Sequence, residues 1–273
     1  MRTKQKYLAS IFFVTFAILS CTVGDNVRKR ETEQHQQVTQ ELLYGRLLSK
    51  EILSRYKVYN NPEASVYINK VGRGVALFAG RSELTYYFAI LDSETINAFA
   101  APGGYIFITK GSIMAMENEA ELAAVLAHEI GHVNNRHIMR QIPLPKGNNI
   151  ADTIASILVA QGTVVSAAMN ETVKKASTLL FENGYRIQDE YEADQSAISY
   201  LIETGYDHRA LIQFMSRIES IKKADAKLQV YHTHPPTLDR INMINSFLKE
   251  QNSASITGKL VTERFQKFKT SIH

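Results

Sequence analysis

Residues 117–140 read ENEAELAAVLAHEIGHVNNRHIMR and give the strongest helix prediction of the chain. Apolar residues recur there at three- and four-residue steps, the pattern of a helix with one buried face. Inside the helix lies His128-Glu129-Ile130-Gly131-His132. Because four residues make one turn plus about 40°, both imidazoles project from one face and can meet one ion. The apolar positions are Leu122, Val125, Leu126, Ile130 and Val133.

This stretch carries the residue types of a hydrolytic zinc site. Two imidazoles with a carboxylate suit Zn²⁺, and an open fourth position lets the ion lower the pKa of water toward about 7. Glu129 lies about 100° around the helix from His128 and can reach that water. We therefore predict one Zn²⁺ per chain, held by His128 and His132, with Glu129 as the catalytic base.

An acidic cluster at 189–194, DEYEAD, opens a further predicted helix. Glu190 and Asp194 share a face by their four-residue spacing, whereas Glu192 points away. One of the two can bind the ion while the other orients a ligating imidazole by accepting its far N–H. The spacing leaves open which residue does which, and such a cluster alone is more typical of a solvated helix start.

The residues after the second histidine exclude one subclass of zinc peptidase. Metzincins need a glycine and a third histidine at positions that Asn135 and Ile138 occupy here. In a continuous helix His137 lies about 140° from the direction of His132. We interpret His137 as a structural or surface histidine.

The remaining pattern predicts an α+β fold of mostly helices with one small three-stranded antiparallel sheet beside the active-site helix. Alternating, β-branched and aromatic residues predict the strands, and apolar residues at helical spacing predict the helices. The segment 150–168 is interpreted as a core helix, with an apolar hairpin on a membrane as the alternative. The predicted strands are 84–91, 96–100 and 105–109, and the other helices are 38–56, 64–78, 188–203, 208–221 and 238–249.

The N-terminal residues have the pattern of an export signal. Lys4 and Lys6 precede an apolar run at 7–19, shorter than the roughly 20 residues of a spanning helix. Ile18-Leu19-Ser20-Cys21 resembles a bacterial lipobox, which implies a lipid anchor at Cys21; an ordinary signal with an incidental Cys is the alternative. The predicted divisions are a signal peptide at 1–20, a lipidated Cys with a polar tether at 21–39, a metallopeptidase domain at 40–250 and a C-terminal tail at 251–273.

The composition excludes several classes of protein. The net charge of +4 includes Arg2, Lys4 and Lys6 of the predicted signal. Without these three, the chain has 28 basic and 27 acidic residues, so its charge does not predict a nucleic-acid partner. The single Cys excludes a disulfide framework. No apolar run of 18 uncharged residues exists, which excludes a polytopic membrane protein.

Four segments occur in the order of a known family. They are INAFAAPGGYIF at 96–107, HEIGH at 128–132, EYEAD at 190–194, and THPP at 233–236 with Arg240. Over about 40–248 the chain resembles the zinc endopeptidases that include the CAAX prenyl proteases, the heat-shock membrane protease and periplasmic lipoprotein proteases of outer-membrane quality control. The resemblance implies a zincin-type fold, with Glu190 as third ligand and Asp194 as the carboxylate that orients a ligand.

The resemblance also implies roles for two later residues. His234 is either a removable fourth ligand that blocks the water position or a catalytic group that steadies the oxyanion. Arg240 pairs with a carboxylate that shapes the cleft, or makes only a structural salt bridge. The family often has an Arg three residues before the ligand Glu; this chain has Ile187 there and Arg186 one step earlier, which leaves the role of Arg186 open.

A strand edge beside the cleft is the predicted substrate-binding element. Either strand 105–109 or strand 96–100 offers a free edge to which an extended peptide can add. Glycines in the turn allow close approach, although a plain tight turn explains them equally. The predicted edge residues are Asn97, Ala98, Gly103, Gly104 and Tyr105.

The predicted function is a zinc-dependent endopeptidase that hydrolyses unfolded or misassembled envelope proteins. We expect it to be lipid-anchored in a bacterial cell envelope, at the periplasmic face of the outer membrane. The alternative is a non-catalytic, zinc-stabilised periplasmic chaperone that uses the same edge. The intact Glu129 argues against the alternative, because a structural zinc site needs no base there.

Overall fold

The computed structural model describes residues 2–142, 167–224, 233–235, 238–253 and 255–272. The predicted helix at 150–168 lies outside these residues except for its last two. The chain divides into two compact units, residues 1–40 and residues 41–273. Within the described residues, no helix is both long and apolar enough to cross a lipid bilayer.

Helix α1 begins well before the predicted start at residue 38, since it comprises Arg2–Arg55. The residues of the predicted tether at 28–37 are helical and mostly exposed. The side chain of Cys21 lies outside the described part of the structure, so the lipobox stays a prediction. The predicted domain limits also stay predictions.

The second unit is mostly helical, as predicted, and its helices carry the candidate site. Most predicted helices are present with ends shifted by a few residues. Helix α3, helix α6, the π-helical turn Leu179–Asn183 and helix α10 are additional. The helices after α1 are α2 Pro62–Ala76, α3 Lys110–Ala115, α4 Glu119–Asn134, α5 His137–Gln141, α6 Ala167–Thr178, α7 Ile187–Thr204, α8 Ala210–Ala224, α9 Leu238–Glu250 and α10 Thr262–Thr270.

The sheet is mixed, so the prediction of an antiparallel sheet was wrong for one of its two pairings. Strands β1 Tyr87–Leu91, β2 Ala98–Ala101 and β3 Tyr105–Thr109 lie in the order β1-β3-β2. The tight hairpin makes β2 and β3 antiparallel, whereas β1 pairs with β3 in parallel. Alternation along each strand predicts the strand itself; the choice of neighbour depends on long-range packing.

Helix α4 is the buried centre of the fold. The side chain of Asn118 caps it by accepting a hydrogen bond from Glu121 N at 3.0 Å. The predicted continuous helix ends early, because Arg136 adopts a left-handed conformation with φ of 54°. A new short helix, α5, then begins at His137.

Helix α7 packs directly against α4 at Gly131. A Cβ on Gly131 would lie 3.0 Å from Ala193 O, so a side chain there would push the two helices apart. This close approach brings the acidic cluster of α7 beside the histidines of α4.

The C-terminal residues pack onto this unit rather than leaving it. Helix α10 lies in the segment that the sequence leaves as a tail, and its Phe265 is fully buried. Its Arg264 pairs with the buried carboxylate of Glu119 at the start of α4.

Candidate metal centre

Four side chains from three segments converge at one buried point. Helix α4 contributes His128 and His132, helix α7 contributes Glu190, and the segment 233–235 contributes His234. Each offers one ligand atom, and these four atoms all lie within 4.8 Å of one another. All four side chains are at most 5% exposed, so the point is shielded from water.

These atoms are close enough together to bind one metal ion. Ligand atoms at zinc distances are about 3.4 Å apart along each edge of a tetrahedron. Nε2 of His128 lies 3.0 Å from Nε2 of His132 and 3.4 Å from Glu190 Oε2. Nε2 of His132 lies 3.6 Å from Glu190 Oε1. Nδ1 of His234 lies 3.3 Å from His128 Nε2 and 2.9 Å from Glu190 Oε1. Two imidazoles, a carboxylate and a third imidazole therefore fit one divalent ion.

A buried carboxylate holds the far side of His128. Nδ1 of His128 lies 2.9 Å from Asp194 Oδ1, which leaves Nε2 to face the converging ligands. Arg240 donates two hydrogen bonds to Asp194, at 2.9 and 2.7 Å, and its Nη1 lies 2.8 Å from Glu190 Oε2. Of the two arrangements that the sequence allows, the structure has Glu190 among the ligand atoms and Asp194 behind an imidazole.

The neighbours of Glu190 and Asp194 explain why both buried carboxylates are ionised. Burial alone would raise the pKa of Glu190, but His234 and Arg240 hold it well below its usual range. Burial would likewise raise the pKa of Asp194, and Arg240 keeps it low. Both groups are therefore ionised, as a metal ligand and its supporting carboxylate need to be.

Glu129 lies beside the ligand group without joining it. It is 1% exposed, and its Oε2 has no hydrogen-bond partner among the residues that the structure describes. Its Oε1 lies 3.9 Å from Nε2 of His234. Burial raises the pKa of Glu129 above its usual value, so the carboxylate accepts a proton more readily than an exposed one.

The segment that carries His234 is seated against the turn before α7. A Cβ on Gly184, which has φ of 71°, would lie 2.8 Å from Thr233 O. The ring of Tyr185 lies 5.1 Å from that of His234 and stacks at 3.9 Å on that of His132. His234 thus reaches the centre with its Nδ1 toward the ligands.

The strand edge is only partly where the sequence predicts it. β3 is central, with a neighbour on each side, so the strand of Tyr105 has no free edge. β2 has a single strand neighbour in the described structure, and it carries Ala98 directly after Asn97. Gly103 and Gly104 have positive φ in the hairpin, and a Cβ on Gly104 would lie 2.6 Å from Thr85 O. The hairpin itself therefore requires glycine at residue 104.

Two residues that the sequence does not single out as part of the centre lie against it. His137 is fully buried, with its Nδ1 2.7 Å from Nδ1 of His132. Tyr185 covers the face of His132. Neither position has a local signal, because both contacts depend on turns between helices. Arg186 pairs with Asp189, at 2.9 Å, rather than with a ligand.

Comparison with known proteins identifies the family. A Vibrio cholerae protein is 31% identical over 210 residues, which are 75% of this chain and 43% of that protein. The beta-barrel assembly-enhancing protease of Escherichia coli is 26% identical over 72% of this chain and 42% of its own length. The mitochondrial metalloendopeptidase OMA1 of Schizosaccharomyces pombe is 26% identical over 74% of this chain and 59% of its own. This chain thus spans about two fifths of the length of the first two relatives.

The match to a family profile extends over most of the chain. Residues 62–247 match Peptidase family M48, and this range includes His128, His132, Glu190, His234 and Arg240. The resemblance that the four ordered segments indicate is confirmed, and with it the classification as a zinc metallopeptidase at the level of the family. The chain belongs to Peptidase family M48.

Proposed function

We propose that the protein is a zinc-dependent endopeptidase in which His128, His132 and Glu190 hold the ion. The observation that carries this proposal is the convergence of their ligand atoms, 3.0 to 3.6 Å apart, beside the buried Glu129. Zinc bound there supplies a Lewis acid that polarises the scissile carbonyl and acidifies water. Glu129 accepts a proton from the attacking water and returns it to the leaving amine.

The test of this function compares the wild type with Glu129→Gln. We expect both proteins to bind one zinc ion per chain, and the variant to cleave unfolded casein at least about 100-fold more slowly. Glu263→Gln is the matched control, since its side chain is 89% exposed on α10 and its activity should be unchanged. Equal cleavage by wild type and Glu129→Gln contradicts the proposal.

The same experiment separates the enzyme from a zinc-stabilised chaperone. A chaperone prevents aggregation of the unfolded protein without cleaving it, and it does so equally well after Glu129→Gln. The buried position of Glu129, with one carboxylate oxygen unpartnered among the described residues, favours the enzyme, because a purely structural metal site has no use for such a group.

We propose that His234 is a removable fourth ligand. Its Nδ1 lies within 3.3 Å of two other ligand atoms, whereas an oxyanion-stabilising group would have to point its N–H at the substrate. In this arrangement His234 occupies the position that water needs, and its segment must move before substrate binds. Activity that rises in His234→Ala supports this role, and activity that collapses supports the oxyanion role.

An apolar cavity beside the centre suggests the kind of side chain that the enzyme accepts. The cavity borders Glu129 and His128, and its enclosed volume is small, about 30 Å³. Its apolar lining favours an aliphatic or aromatic side chain of a substrate, which unfolded chains expose and folded ones bury. Its apolar lining consists of Val125, Leu211, Phe214, Met215 and Ile218.

A peptide-library measurement tests this cavity. We expect the wild type to prefer an apolar residue next to the scissile bond, and Met215→Ala to shift the preference toward larger apolar residues. Met243→Ala, on the exposed side of α9, is the control and should leave the preference unchanged. A wild type that cleaves equally well beside apolar and acidic residues contradicts this assignment.

We further propose that the protein acts on unfolded or misassembled proteins of a bacterial envelope, anchored through a lipid at Cys21. The export-signal pattern before Cys21 supports this location, and so does a relative whose name refers to beta-barrel assembly. Labelling of cells with tritiated palmitate should mark the wild type and leave Cys21→Ser unlabelled. An unlabelled wild type contradicts the anchor but leaves the enzyme activity untouched.

A further inference from the structure

The turn after α4 places a fourth histidine, His137, against the candidate metal centre. Because the backbone of Arg136 is in the left-handed conformation, α4 does not continue through it, and His137 lies on the far side of His132. The two rings meet edge to face, with centroids 4.7 Å apart. Their Nδ1 atoms are 2.7 Å apart, which is hydrogen-bond distance.

Only one tautomer arrangement suits both this hydrogen bond and a metal ligand. Nε2 of His132 faces Nε2 of His128 and Glu190, so it must be unprotonated to bind an ion. The proton of neutral His132 then lies on Nδ1 and points at His137. Nδ1 of His137 must accept it, which moves the proton of His137 to its Nε2.

The next residue along this line is a carboxylate placed to receive that second proton. Nε2 of His137 lies 3.2 Å from Glu192 Oε2. Arg140 donates to the same oxygen of Glu192 at 2.8 Å and to Asp189 at 2.9 Å. Donor and acceptor therefore alternate from His132 through His137 to Glu192.

This group of residues is not itself a metal site. His137, Asp189 and Glu192 offer atoms within 4.8 Å of one another. However, the carboxylates already receive hydrogen bonds from Arg140, and Asp189 also from Arg186 and Gln141. A cation there would meet two guanidinium groups.

We propose that His137, held by Glu192, is a positioning residue that sets the tautomer and ring orientation of His132 for metal binding. The inference rests on the proposed function, in that His132 is taken as a ligand. In this proposal Glu192, which points away from the metal, orients His137 by accepting the hydrogen bond of its Nε2. Groups that orient ligands in this way typically contribute 10- to 100-fold to metal affinity.

Zinc affinity of the full chain, measured by competition with a chromogenic chelator, tests the proposal. We expect His137→Phe to weaken zinc binding by about 10- to 100-fold, because the ring fills the space but accepts no hydrogen bond. His137→Asn keeps an acceptor near the position of Nδ1 and should bind within about 3-fold of the wild type. The control is His208→Phe, the same change at a fully buried histidine of the loop before α8.

Each outcome decides the inference separately from the proposed function. The inference is wrong if His137→Phe binds zinc as tightly as the wild type, or if His137→Asn does not restore the zinc affinity that His137→Phe loses. In either case the proposed enzyme function is unaffected. If His137→Phe does not fold, ¹⁵N NMR of the zinc-loaded wild type replaces it. A scalar coupling across the Nδ1–H···Nδ1 bond of His132 and His137 is expected, and a proton on Nδ1 of His137 overturns the proposal.

Discussion

The two histidines that α4 contributes to the candidate centre are supported by neighbours of opposite character. Behind His128 stands an ionised carboxylate, Asp194, which is buried and doubly hydrogen-bonded to the buried Arg240. Behind His132 stands a neutral imidazole, His137, whose own partner Glu192 is 30% exposed. One ligand is therefore supported by a buried ion pair and the other by a hydrogen-bond relay that ends near solvent.

The difference shows where electrostatic energy is concentrated in the centre. In the interior, an ion pair is strongly coupled, and removing one partner leaves the other charge without compensation. At the surface, water replaces much of what a lost partner provides. Equal changes on the two sides should thus have unequal effects on stability, and the following predictions are arranged from the largest effect to the smallest.

Asp194→Ala should cause the largest loss. The guanidinium of Arg240 would remain buried after losing the carboxylate of Asp194, while its pair with Glu190 stays in place, so the free energy of unfolding should fall by about 3 kcal/mol. Urea unfolding of the metal-free protein measures this loss without the contribution of zinc. Glu192→Ala, on the other side, is the matched change, and a loss as large as that of Asp194→Ala would remove the distinction.

Removal of zinc should have the next largest effect. At free zinc 100-fold above its dissociation constant, binding adds about 2.7 kcal/mol of stability, and a chelator should lower the melting temperature by roughly 5–10 °C. Calorimetry measures this shift. In Glu190→Gln the shift should be much smaller, because the variant lacks one of the three proposed zinc ligands. A shift as large as that of the wild type would mean that zinc binds elsewhere.

Another buried carboxylate, Glu119, extends the comparison to a site away from the candidate metal centre. Arg264, Tyr206 and Tyr67 lower its pKa against the effect of burial. A lowered folded pKa contributes stability above the unfolded value of 4.5, and this stability is lost as the pH falls through the folded pKa. Glu119→Gln should therefore cost about 2 kcal/mol at pH 7 and progressively less below pH 4.5 in urea unfolding. A cost that is independent of pH contradicts the role of this charge.

Arg140→Met should have the smallest effect. The side chain of Arg140 is 43% exposed, and solvent screens its pairs with Asp189 and Glu192, so the free energy of unfolding should change by less than about 1 kcal/mol. Thermal unfolding measures the change. Arg240→Met, which removes the buried guanidinium, is the matched change and should cost several times more.

Local patterns predicted the parts of the centre that lie within one helix. The four-residue spacing of His128 and His132 and that of Glu190 and Asp194 are properties of helix geometry, and the structure has each pair on one face. The parallel pairing of β1 with β3 was not predictable in this way. A strand shows which of its residues face inward, but not which neighbour it will have.

The case of His137 is the clearest failure of local reasoning. A continuous helix places it about 140° from the direction of His132, and nothing in the residue type of Arg136 indicates a left-handed conformation. Burial of the following helix holds Arg136 there, so the contact follows from packing and not from the local pattern. Helix α10 was missed for a similar reason, because its buried Phe265 and Phe268 are isolated among charged residues.

The sequence by itself determined the residue types typical of a zinc peptidase, their helical spacing and the place of Glu129 between the two histidines. Only the tertiary structure decided which carboxylate faces the ligand atoms, which residue stands behind each imidazole, and where His234 lies. The reason is physical, since spacing along a helix sets the direction of a side chain, whereas its partner is set by the close approach of separate helices, here at Gly131 and Ala193.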